Sequence, residues 1–419
     1  MKTRSFKHFV EEKLEIWLIG FLLLFFLGLD LPAPLPSAIN AASYAILFPL
    51  IIWRWKQFSY VATRDIFLLL LISITMASVL WSASPEITST ETKAVLRTTL
   101  LGVYLTTRFS IKEQMQLLAG FLGIGAVLSF VFGIGMPSYG VHQGGEFVGS
   151  WKGIFAFKNL FASIMAIAAM LFLLFALNSR KKRWLAWMMF GLAVLLLILS
   201  RGKTSYSVLL ILLGLLPLHK AVKQKYKLRV ILLVTSFLFI SSVIFLVLTN
   251  LEFILVDLLG KNMEFNGRLP IWTLMVDKVS ERPLFGYGYA GFWTSDEAMV
   301  ILTNTWAAST ASEGIRFNAH NGYLDMVLQL GFSGLLLYLL SFLTCLIRTV
   351  NLLMSTKTVE SFWILQLIVA LFLLNFADSV GILSTNGLWS LYISCCLSTA
   401  VEQTRLRKKR SLSTAKIAA

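Results

Sequence analysis

Four basic side chains have the residue types that could bind and activate a phosphorylated substrate. Lys158, Arg201 and Arg268 can each hold an anion through charge-assisted hydrogen bonds. His320 carries an imidazole that can take a proton near pH 7. Three cations and one titratable base are what a diphosphate leaving group and an activated hydroxyl require. These residues therefore indicate group transfer from a diphosphate, provided that the fold brings them to one side of the molecule.

Two of the four residues also have a purely structural interpretation. His320 could be an interfacial histidine that caps the next helix, and Arg201 could extend its guanidinium out of the apolar layer. Arg268 is harder to explain in this way, because a cation at the start of a helix opposes the helix dipole. It should therefore serve a ligand or an acidic neighbour.

Motifs that are absent from the sequence restrict the class of reaction. There is no Asp-x-Asp pair for a metal-bound nucleotide sugar, no Gly-x-Ser-x-Gly elbow and no His-Glu-x-x-His. Leu197 occupies the position where a phosphate-binding loop ending in Gly202-Lys-Thr204 would need its first glycine. The three cysteines lie in or beside apolar segments, so no disulfide framework and no cysteine metal site is expected. We expect no metal and no cofactor.

The composition shows which elements must position these residues. Hydrophobic residues form 57% of the 419-residue chain, charged residues only 14%, and the mean hydropathy is +0.77. A soluble chain needs more charge to cover its surface, and the apolar residues here fall into runs close to the ~20 residues that span a bilayer. The apolar cores are Ile16–Leu29, Ala41–Trp55, Ile66–Trp81, Ala94–Thr107, Leu117–Gly135, Leu160–Leu177, Trp184–Ser200, Ser205–Leu218, Leu228–Thr249, Met326–Ile347, Phe362–Phe376 and Ile382–Ala400. We therefore predict about twelve membrane helices, of which the fourth, carrying Arg97, is the weakest.

Charge orients this predicted bundle. With the N-terminus in the cytoplasm, 26 of the 37 basic residues and 7 of the 21 acidic residues fall on the cytoplasmic side. The cytoplasmic side then carries a net charge of +19 and the outer side −3, which is the positive-inside pattern of membrane proteins. The basic pI of about 9.8 is explained by membrane topology, so no nucleic-acid partner is expected.

The organisation follows from the loop lengths. We predict a transmembrane bundle over residues 1–249, an outer loop region over 250–322, the last membrane helices over 323–400 and a basic cytoplasmic tail over 401–419. The tail is expected to be disordered from Arg405. A long loop on one side of a membrane protein is a common place for chemistry or binding.

The long outer loop contains a predicted surface helix and an aromatic run. Apolar residues at helical spacing predict a helix over Pro270–Ser280, and Pro283 should stop it. The segment Phe285–Trp293 then combines aromatic residues with glycines. These aromatics could anchor the loop at the membrane interface, offer stacking faces to sugar rings, or do both.

Four short motifs resemble those of the bacterial O-antigen ligase family and the related O-antigen and exopolysaccharide polymerases. The matching segments are His320-Asn321 followed by Gly331-Phe-Ser-Gly334, Ser200-Arg201-Gly202, Arg268 with Trp272 and Pro283-Leu-Phe-Gly-Tyr-Gly288, and Gly153-Ile-Phe-Ala-Phe-Lys-Asn159. In the last of these, Phe157 stands where the polymerases carry a histidine, which is a departure from their pattern. The N-terminal third resembles the family in hydropathy only.

The resemblance implies an all-α, polytopic membrane glycosyltransferase of the GT-C type that inverts configuration without a metal. The donor would be a glycan on undecaprenyl diphosphate, and the acceptor a sugar hydroxyl on lipid A-core or on a growing polymer. His320 would act as general base or position the acceptor, while Arg201, Arg268 and Lys158 would bind the diphosphate. The active site would face the periplasm from the bacterial inner membrane. Ligase and polymerase both fit, with a slight preference for polymerisation.

Two other classes remain open on the sequence alone. A transporter of bicarbonate or another small anion would need ionisable groups at mid-membrane depth, whereas the predicted spans carry few. Their notable polar residues, Asn375, Asp378 and Asn386, cluster near the outer end of the last hairpin. A non-catalytic component of glycan export would instead tolerate substitution of His320.

Overall fold

The computed structural model describes residues 6–179, 181–228, 230–231, 267–308, 317–379 and 381–418. The regular secondary structure of these residues is helical, with two isolated β-bridges and no strand among them. The helices are α1 (Phe6–Phe26), α2 (Leu35–Trp53), α3 (Trp55–Ala62), α4 (Ile66–Ala77), α5 (Pro85–Arg108), α6 (Ile111–Gly135), α7 (Pro137–Gly140), α8 (Lys158–Asn178), α9 (Arg183–Ser200), α10 (Lys203–Gly214), α11 (Leu216–Val222), α12 (Arg268–Glu281), α13 (Met299–Asn304), α14 (Gly322–Thr356), α15 (Val359–Leu374) and α16 (Gly387–Ala418).

The all-helical membrane fold expected from the sequence is confirmed. Six helical segments of the described chain are long and apolar enough to cross a membrane: α2, α6, α8, α9, α10 with α11, and α14. A seventh would be the bent pair of α3 with the segment Ile66–Trp81, which meet at 95°. The predicted span Leu228–Thr249 lies almost entirely outside the described residues. The count of about twelve remains a prediction.

Helix α8 lies at the centre of the bundle. Its side chains are apolar on every face, and nearly all of them from Phe161 to Ala176 are buried. A helix that is hydrophobic all round belongs in an interior, and α8 packs against α6, α9, α10 and α15. This burial fixes the position of the first residues of α8, Lys158 and Asn159.

The hairpin of α8 and α9 brings the start of α8 close to the turn that follows α9. The two helices pack along their length, with α8 beginning at Lys158 and α9 ending at Ser200. A Cβ atom on Gly202 would lie 2.4 Å from the Cβ of Ala162, so the turn approaches α8 too closely for a larger residue. The Ser163 and Ser205 hydroxyls are 3.3 Å apart. The predicted diphosphate ligands Lys158 and Arg201 therefore share one end of the bundle.

A kink in α14 holds the aromatic loop against the bundle. Gly331 interrupts the helix with φ 66° and ψ −171°, and a Cβ there would lie 2.2 Å from the Leu284 carbonyl. The interruption frees the Leu328 carbonyl and the Phe332 N–H of α14. Tyr287 N–H donates to Leu328 O at 3.0 Å, and Phe332 N–H donates to Pro283 O at 2.8 Å. The glycine motif therefore has a structural role, because it lets the 283–288 segment bind edge-on to α14.

The region around α12 and α13, which was predicted to form an outer loop, has a small apolar core of its own. The helix predicted over Pro270–Ser280 is confirmed as α12, which ends at Glu281 just before Pro283. Tyr287, Phe292 and Trp293 of the aromatic run are buried there with residues of α12 and α13, while Phe285 is exposed. Most of the run is thus neither an interface anchor nor an open sugar platform. Sequence pattern does not distinguish an aromatic that packs inwards from one that faces the membrane surface.

The expectation of a disordered tail is wrong. Helix α16 continues from the last predicted span to Ala418. The residues after Arg405 are rich in arginine, lysine and leucine, which favour helix, and extending an existing helix needs no new nucleus. The basic run thus prolongs the last helix.

Candidate functional site

His320 lies in the turn before α14, with its backbone in the left-handed region at φ 50°. Its N–H donates to Asn318 Oδ1 at 2.8 Å. The ring lies beside those of Trp306 and Phe317, with centroids 5.9 and 5.8 Å away. Nδ1 is buried without a hydrogen-bond partner among the described residues and is 3.8 Å from Asp378 Oδ1. The imidazole is therefore held between aromatic rings with one nitrogen facing a carboxylate.

His320 does not cap the following helix. The cap of α14 is Asn321, whose side-chain oxygen accepts from the N–H groups of Tyr323 and Leu324 at 3.0 and 3.2 Å. The adjacent Gly322 N–H donates to Asn375 O at 2.8 Å. With the helix start satisfied by Asn321, the His320 side chain is not needed as a cap.

Arg268, the first residue of α12, points into the same place. Its Nη1 donates to Ala377 O at 2.8 Å and to His320 O at 3.4 Å. Within the described part of the chain, it forms no ion pair. Burial lowers the pKa of the Arg268 guanidinium, and the nearby Asp378 carboxylate opposes that shift. An arginine remains charged under such conditions, so a half-buried cation oriented by neutral carbonyl groups faces the site.

Asp378 joins three separate parts of the fold. Its carboxylate lies beside His320 Nδ1 and accepts from Asn159 Nδ2 at 3.5 Å, at the start of α8. The Ser379 N–H donates to Asp378 Oδ1 at 2.9 Å. Because Arg268 binds the neighbouring carbonyl of Ala377, the start of α8, the start of α12 and the His320 turn meet here. We call His320, Arg268, Asn159 and Asp378 the histidine cluster.

A second carboxylate, Asp325, supports the histidine cluster from behind. It is 4% exposed and accepts from Trp293 Nε1 at 2.8 Å, from Ala319 N–H at 3.1 and 3.2 Å, and from the Ser379 hydroxyl. Each of these donors belongs to a different segment around the site. Asp325 therefore ties the His320 turn to the 377–379 turn.

Arg201 lies in a second group of residues. It follows α9 with φ 55°, is exposed, and donates from Nη1 to Val148 O at 3.4 Å. Ser200 shapes the turn, since its hydroxyl donates to Leu197 O at 2.5 Å and accepts from Gly202 N–H at 3.3 Å. No ion pair involves Arg201 in the chain as described. Among the described residues, its guanidinium has a carbonyl partner in the 142–151 loop and no carboxylate partner.

Lys158 also contacts the 142–151 loop. The Lys158 Nζ lies 4.3 Å from the centre of the Phe147 ring. His142 packs edge-on against Phe147 and Phe157, with ring centroids 6.0 and 5.3 Å away. Burial lowers the pKa of His142, and the charges of Lys152 and Lys158 lower it further. We call Arg201, Lys158 and His142 the loop cluster.

The structure thus brings the predicted residues together in two groups. His320, Arg268 and Asn159 lie in the histidine cluster, whereas Arg201 and Lys158 lie in the loop cluster. The consecutive residues Lys158 and Asn159 connect the two groups. Of the predicted supporting residues, Ser200, Asn321 and Gly331 shape the backbone, and Gly334 is buried against the Leu330 side chain. In the described ranges, no group of histidine, cysteine or carboxylate residues could hold a metal ion.

Sequence reasoning missed the two carboxylates of the site. Asp325 lies between His320-Asn321 and Gly331 of the quoted motif, and its signal was a charge in an apolar helix, which is costly unless the charge has partners. Asp378 was noted only as a polar residue of the last hairpin. Its contacts with Asn159 and His320 depend on tertiary packing, for which the sequence gives no spacing rule.

Residues 159–339 match a family model described as O-antigen ligase. The matched region runs from the start of α8 into α14 and includes Asn159, Arg201, Arg268 and His320. Lys158 falls just before it, and Asp378 lies well beyond its end. No curated protein matches the chain. The resemblance to the O-antigen ligase family is thus confirmed over the region that carries the histidine and both arginines.

Proposed function

We propose that the protein transfers a glycan from undecaprenyl diphosphate to a sugar hydroxyl at the periplasmic face of the inner membrane. It would do so as an inverting, metal-independent glycosyltransferase of the GT-C type. The observation that carries the proposal is the unusual set of partners around the site. Arg201 and Arg268 contact carbonyl groups and form no ion pair among the described residues, while His320 faces Asp378 with an unbonded nitrogen.

The arginines and Lys158 supply what a diphosphate leaving group needs. Guanidinium groups donate two parallel hydrogen bonds to phosphate oxygens, and such bonds are about twice as strong as neutral ones. Arg268 is half-buried, which strengthens its interaction with an anion relative to bulk water. The diphosphate would lie between the two clusters, with the charge that develops on the leaving oxygen neutralised by the cations.

His320 would remove the proton of the acceptor hydroxyl. With an Nδ1–H directed at Asp378, the other nitrogen, Nε2, is the basic one. The hydroxyl oxygen attacks the anomeric carbon as its proton moves to Nε2. The bond between that carbon and the diphosphate oxygen breaks, and the diphosphate leaves with the bonding electrons. A single displacement of this kind inverts the anomeric configuration.

The proposal keeps both acceptor types that the family resemblance implies. A ligase joins a finished lipid-linked polymer to lipid A-core, whereas a polymerase extends the polymer by repeat units. The glycolipids that accumulate when the protein is deleted from its host distinguish them. Lipid A carrying a single repeat unit would mean a lost polymerase. A long lipid-linked polymer beside bare lipid A-core would mean a lost ligase, and unchanged glycolipids would refute glycan transfer.

Topology can be tested by labelling introduced cysteines. We propose that both termini are cytoplasmic and that the loop region 250–322 is periplasmic. The three native cysteines are buried, so they give little background. Thr303→Cys should react with an impermeant thiol reagent from the periplasm, and Lys182→Cys only after the membrane is opened. Labelling of position 303 from the cytoplasmic side alone would overturn the proposed site.

A further inference from the structure

The 142–151 loop holds the backbone of His142 next to Arg201. His142 N–H donates to Ser150 O at 3.0 Å, and His142 O accepts from Gly149 N–H at 3.0 Å. These two bonds close the loop and fix the backbone at His142. A Cβ atom on Gly149 would lie 3.6 Å from Arg201 Nη2, so the same loop backbone passes close to the guanidinium. His142 and Arg201 therefore both contact one residue, Gly149, and have defined positions relative to each other.

The His142 ring has one buried nitrogen and one accessible nitrogen. The ring packs edge-on against Phe147 and Phe157, whose own rings are 5.3 Å apart. Nε2 is buried there and has no hydrogen-bond partner among the described residues, whereas Nδ1 is not buried in this way. Because an unpaired buried N–H is rarer than an unpaired acceptor, a neutral His142 carries its proton on Nδ1. The packing therefore leaves Nδ1–H as the donor that a ligand can reach.

The surrounding charges favour this neutral form of His142. Burial lowers the pKa of the ring, and the nearby charges of Lys152 and Lys158 lower it further. Lys152 itself forms an ion pair with Asp30 at 2.8 Å. A hydrogen bond in which the acceptor is an anion is stronger than one between neutral groups. A neutral N–H can therefore bind a phosphate oxygen here without adding another positive charge beside Arg201 and Lys158.

We propose that His142 is a further binding residue for the lipid-linked donor, and that its Nδ1–H donates to a phosphate oxygen beside Arg201 and Lys158. The proposal rests on the glycan transfer proposed above, in which the diphosphate lies between the loop cluster and the histidine cluster. His142 acts on the donor and not on the acceptor, because His320 lies in the other cluster. Its N–H fixes the direction of one phosphate oxygen, which the point charge of a lysine does not.

Two substitutions separate hydrogen bonding by His142 from packing. His142→Phe keeps an aromatic ring against Phe147 and Phe157 but removes both nitrogens. His142→Asn removes the ring but keeps an N–H donor on Cγ, the atom to which Nδ1 is bonded. The measurement is calorimetric binding of farnesyl diphosphate to the full chain in nanodiscs. His142→Phe should bind this probe about tenfold more weakly than the wild type, as expected for loss of a hydrogen bond to a charged group. His142→Asn should stay within about threefold of the wild type.

His219→Phe is the matched control. Both ring nitrogens of His219 are also buried without a partner among the described residues, but this histidine lies on α11, outside the two clusters. It should bind farnesyl diphosphate like the wild type. Thermal unfolding of each variant in the same nanodiscs shows whether the chain remains folded.

Wild-type affinity in His142→Phe would overturn the proposal. So would a loss in His142→Asn as large as that in His142→Phe, because it would assign His142 to packing. Binding of farnesyl diphosphate does not depend on turnover, so the expected pattern without glycan transfer would refute the proposed function and leave the His142 contact standing. Where transfer is active, His142→Phe should raise the donor KM by about tenfold and leave kcat and the acceptor KM unchanged. A lower kcat with an unchanged donor KM would contradict the proposal.

Discussion

Arginines at opposite ends of α14 differ in their partners. Near the far end, roughly 40 Å from the start of the helix, Arg348 forms an ion pair with Asp65 at 2.6 Å. Arg54 and Arg108 pair with Glu15 at 3.1 and 3.2 Å. Near the start of α14, Arg268 contacts carbonyl oxygens instead. The paired arginines have a structural role, because their charge is already neutralised.

The difference is not confined to the candidate site, because Arg97 also contacts a carbonyl, Asn40 O at 3.4 Å, and forms no ion pair among the described residues. Other basic residues on the same side do have carboxylate partners, as Lys152 does with Asp30 at 2.8 Å and Arg282 with Glu297 at 3.5 Å. Arg201 and Arg268 have none in the described part of the chain. Holding a half-buried cation such as Arg268 without a carboxylate in direct contact is costly, and an arriving anion would compensate it. The comparison teaches that an ion pair marks a structural arginine, whereas a binding arginine is indicated by the lack of a pair together with its position at the site.

The largest effect on glycan transfer should come from replacing His320. His320→Ala should reduce turnover by about 10²–10⁴-fold, the range for loss of a general base, because the acceptor hydroxyl would keep its proton. The measurement is single-turnover transfer in nanodiscs with saturating donor. An unchanged rate would exclude His320 from the chemistry.

Removing a paired charge at the far end should affect folding. Asp65→Asn keeps a side chain that can cap α4 but removes the partner of Arg348, so it should destabilise the protein by about 3–5 kcal/mol. Unfolding in detergent measures this loss. Glu402→Gln, which breaks an exposed pair with Arg405, is the control and should cost at most about 1 kcal/mol. Donor binding by the folded Asp65→Asn protein should be normal. Weakened donor binding in Asp65→Asn would contradict the assignment of a purely structural role to the Arg348 ion pair.

Replacing a binding arginine by lysine should weaken donor affinity. Arg201→Lys and Arg268→Lys should each lose about 10–100-fold in affinity for polyprenyl diphosphate, since an ammonium group cannot donate two parallel hydrogen bonds. Both should be nearly as impaired as the alanine variants. Arg282→Lys, whose arginine is paired with Glu297, should bind normally. Full affinity in both site variants would mean that these arginines do not bind the diphosphate.

The smallest expected effect is that of metal removal. The cations at the site are side chains, so exhaustive dialysis against EDTA should leave the transfer rate within about twofold of the untreated value. The measurement is transfer before and after chelation, with added Mg²⁺ or Mn²⁺ as the reference. Loss of activity that either metal restores would contradict the proposed mechanism.

Local features of this molecule were predictable from the sequence. Apolar runs of membrane-spanning length gave helices such as α6, α8 and α14, because backbone groups in an apolar environment must bond within their own segment. Pro270 and Pro283 bracketed α12 closely, since proline favours a helix start and prevents continuation. His320, Arg201 and Arg268 were identified by the chemistry of their side chains and by the short motifs that contain them.

Long-range contacts were not predictable in the same way. The contact between Asn159 and Asp378 joins positions 219 residues apart. It depends on how the turn after α15 packs on the start of α8, and no local pattern encodes that. The burial of Tyr287 and Phe292 likewise depends on the glycine kink of α14, which creates the surface that receives them.

The most direct test of the account compares His320→Ala with Arg201→Ala in the same preparation. Polyprenyl-diphosphate binding and the transfer rate would be measured for both variants in nanodiscs. The account predicts that His320→Ala binds the donor like the wild type but transfers slowly, and that Arg201→Ala binds it weakly. Lost donor binding in His320→Ala together with normal binding in Arg201→Ala would contradict the division of roles between the histidine and the arginines.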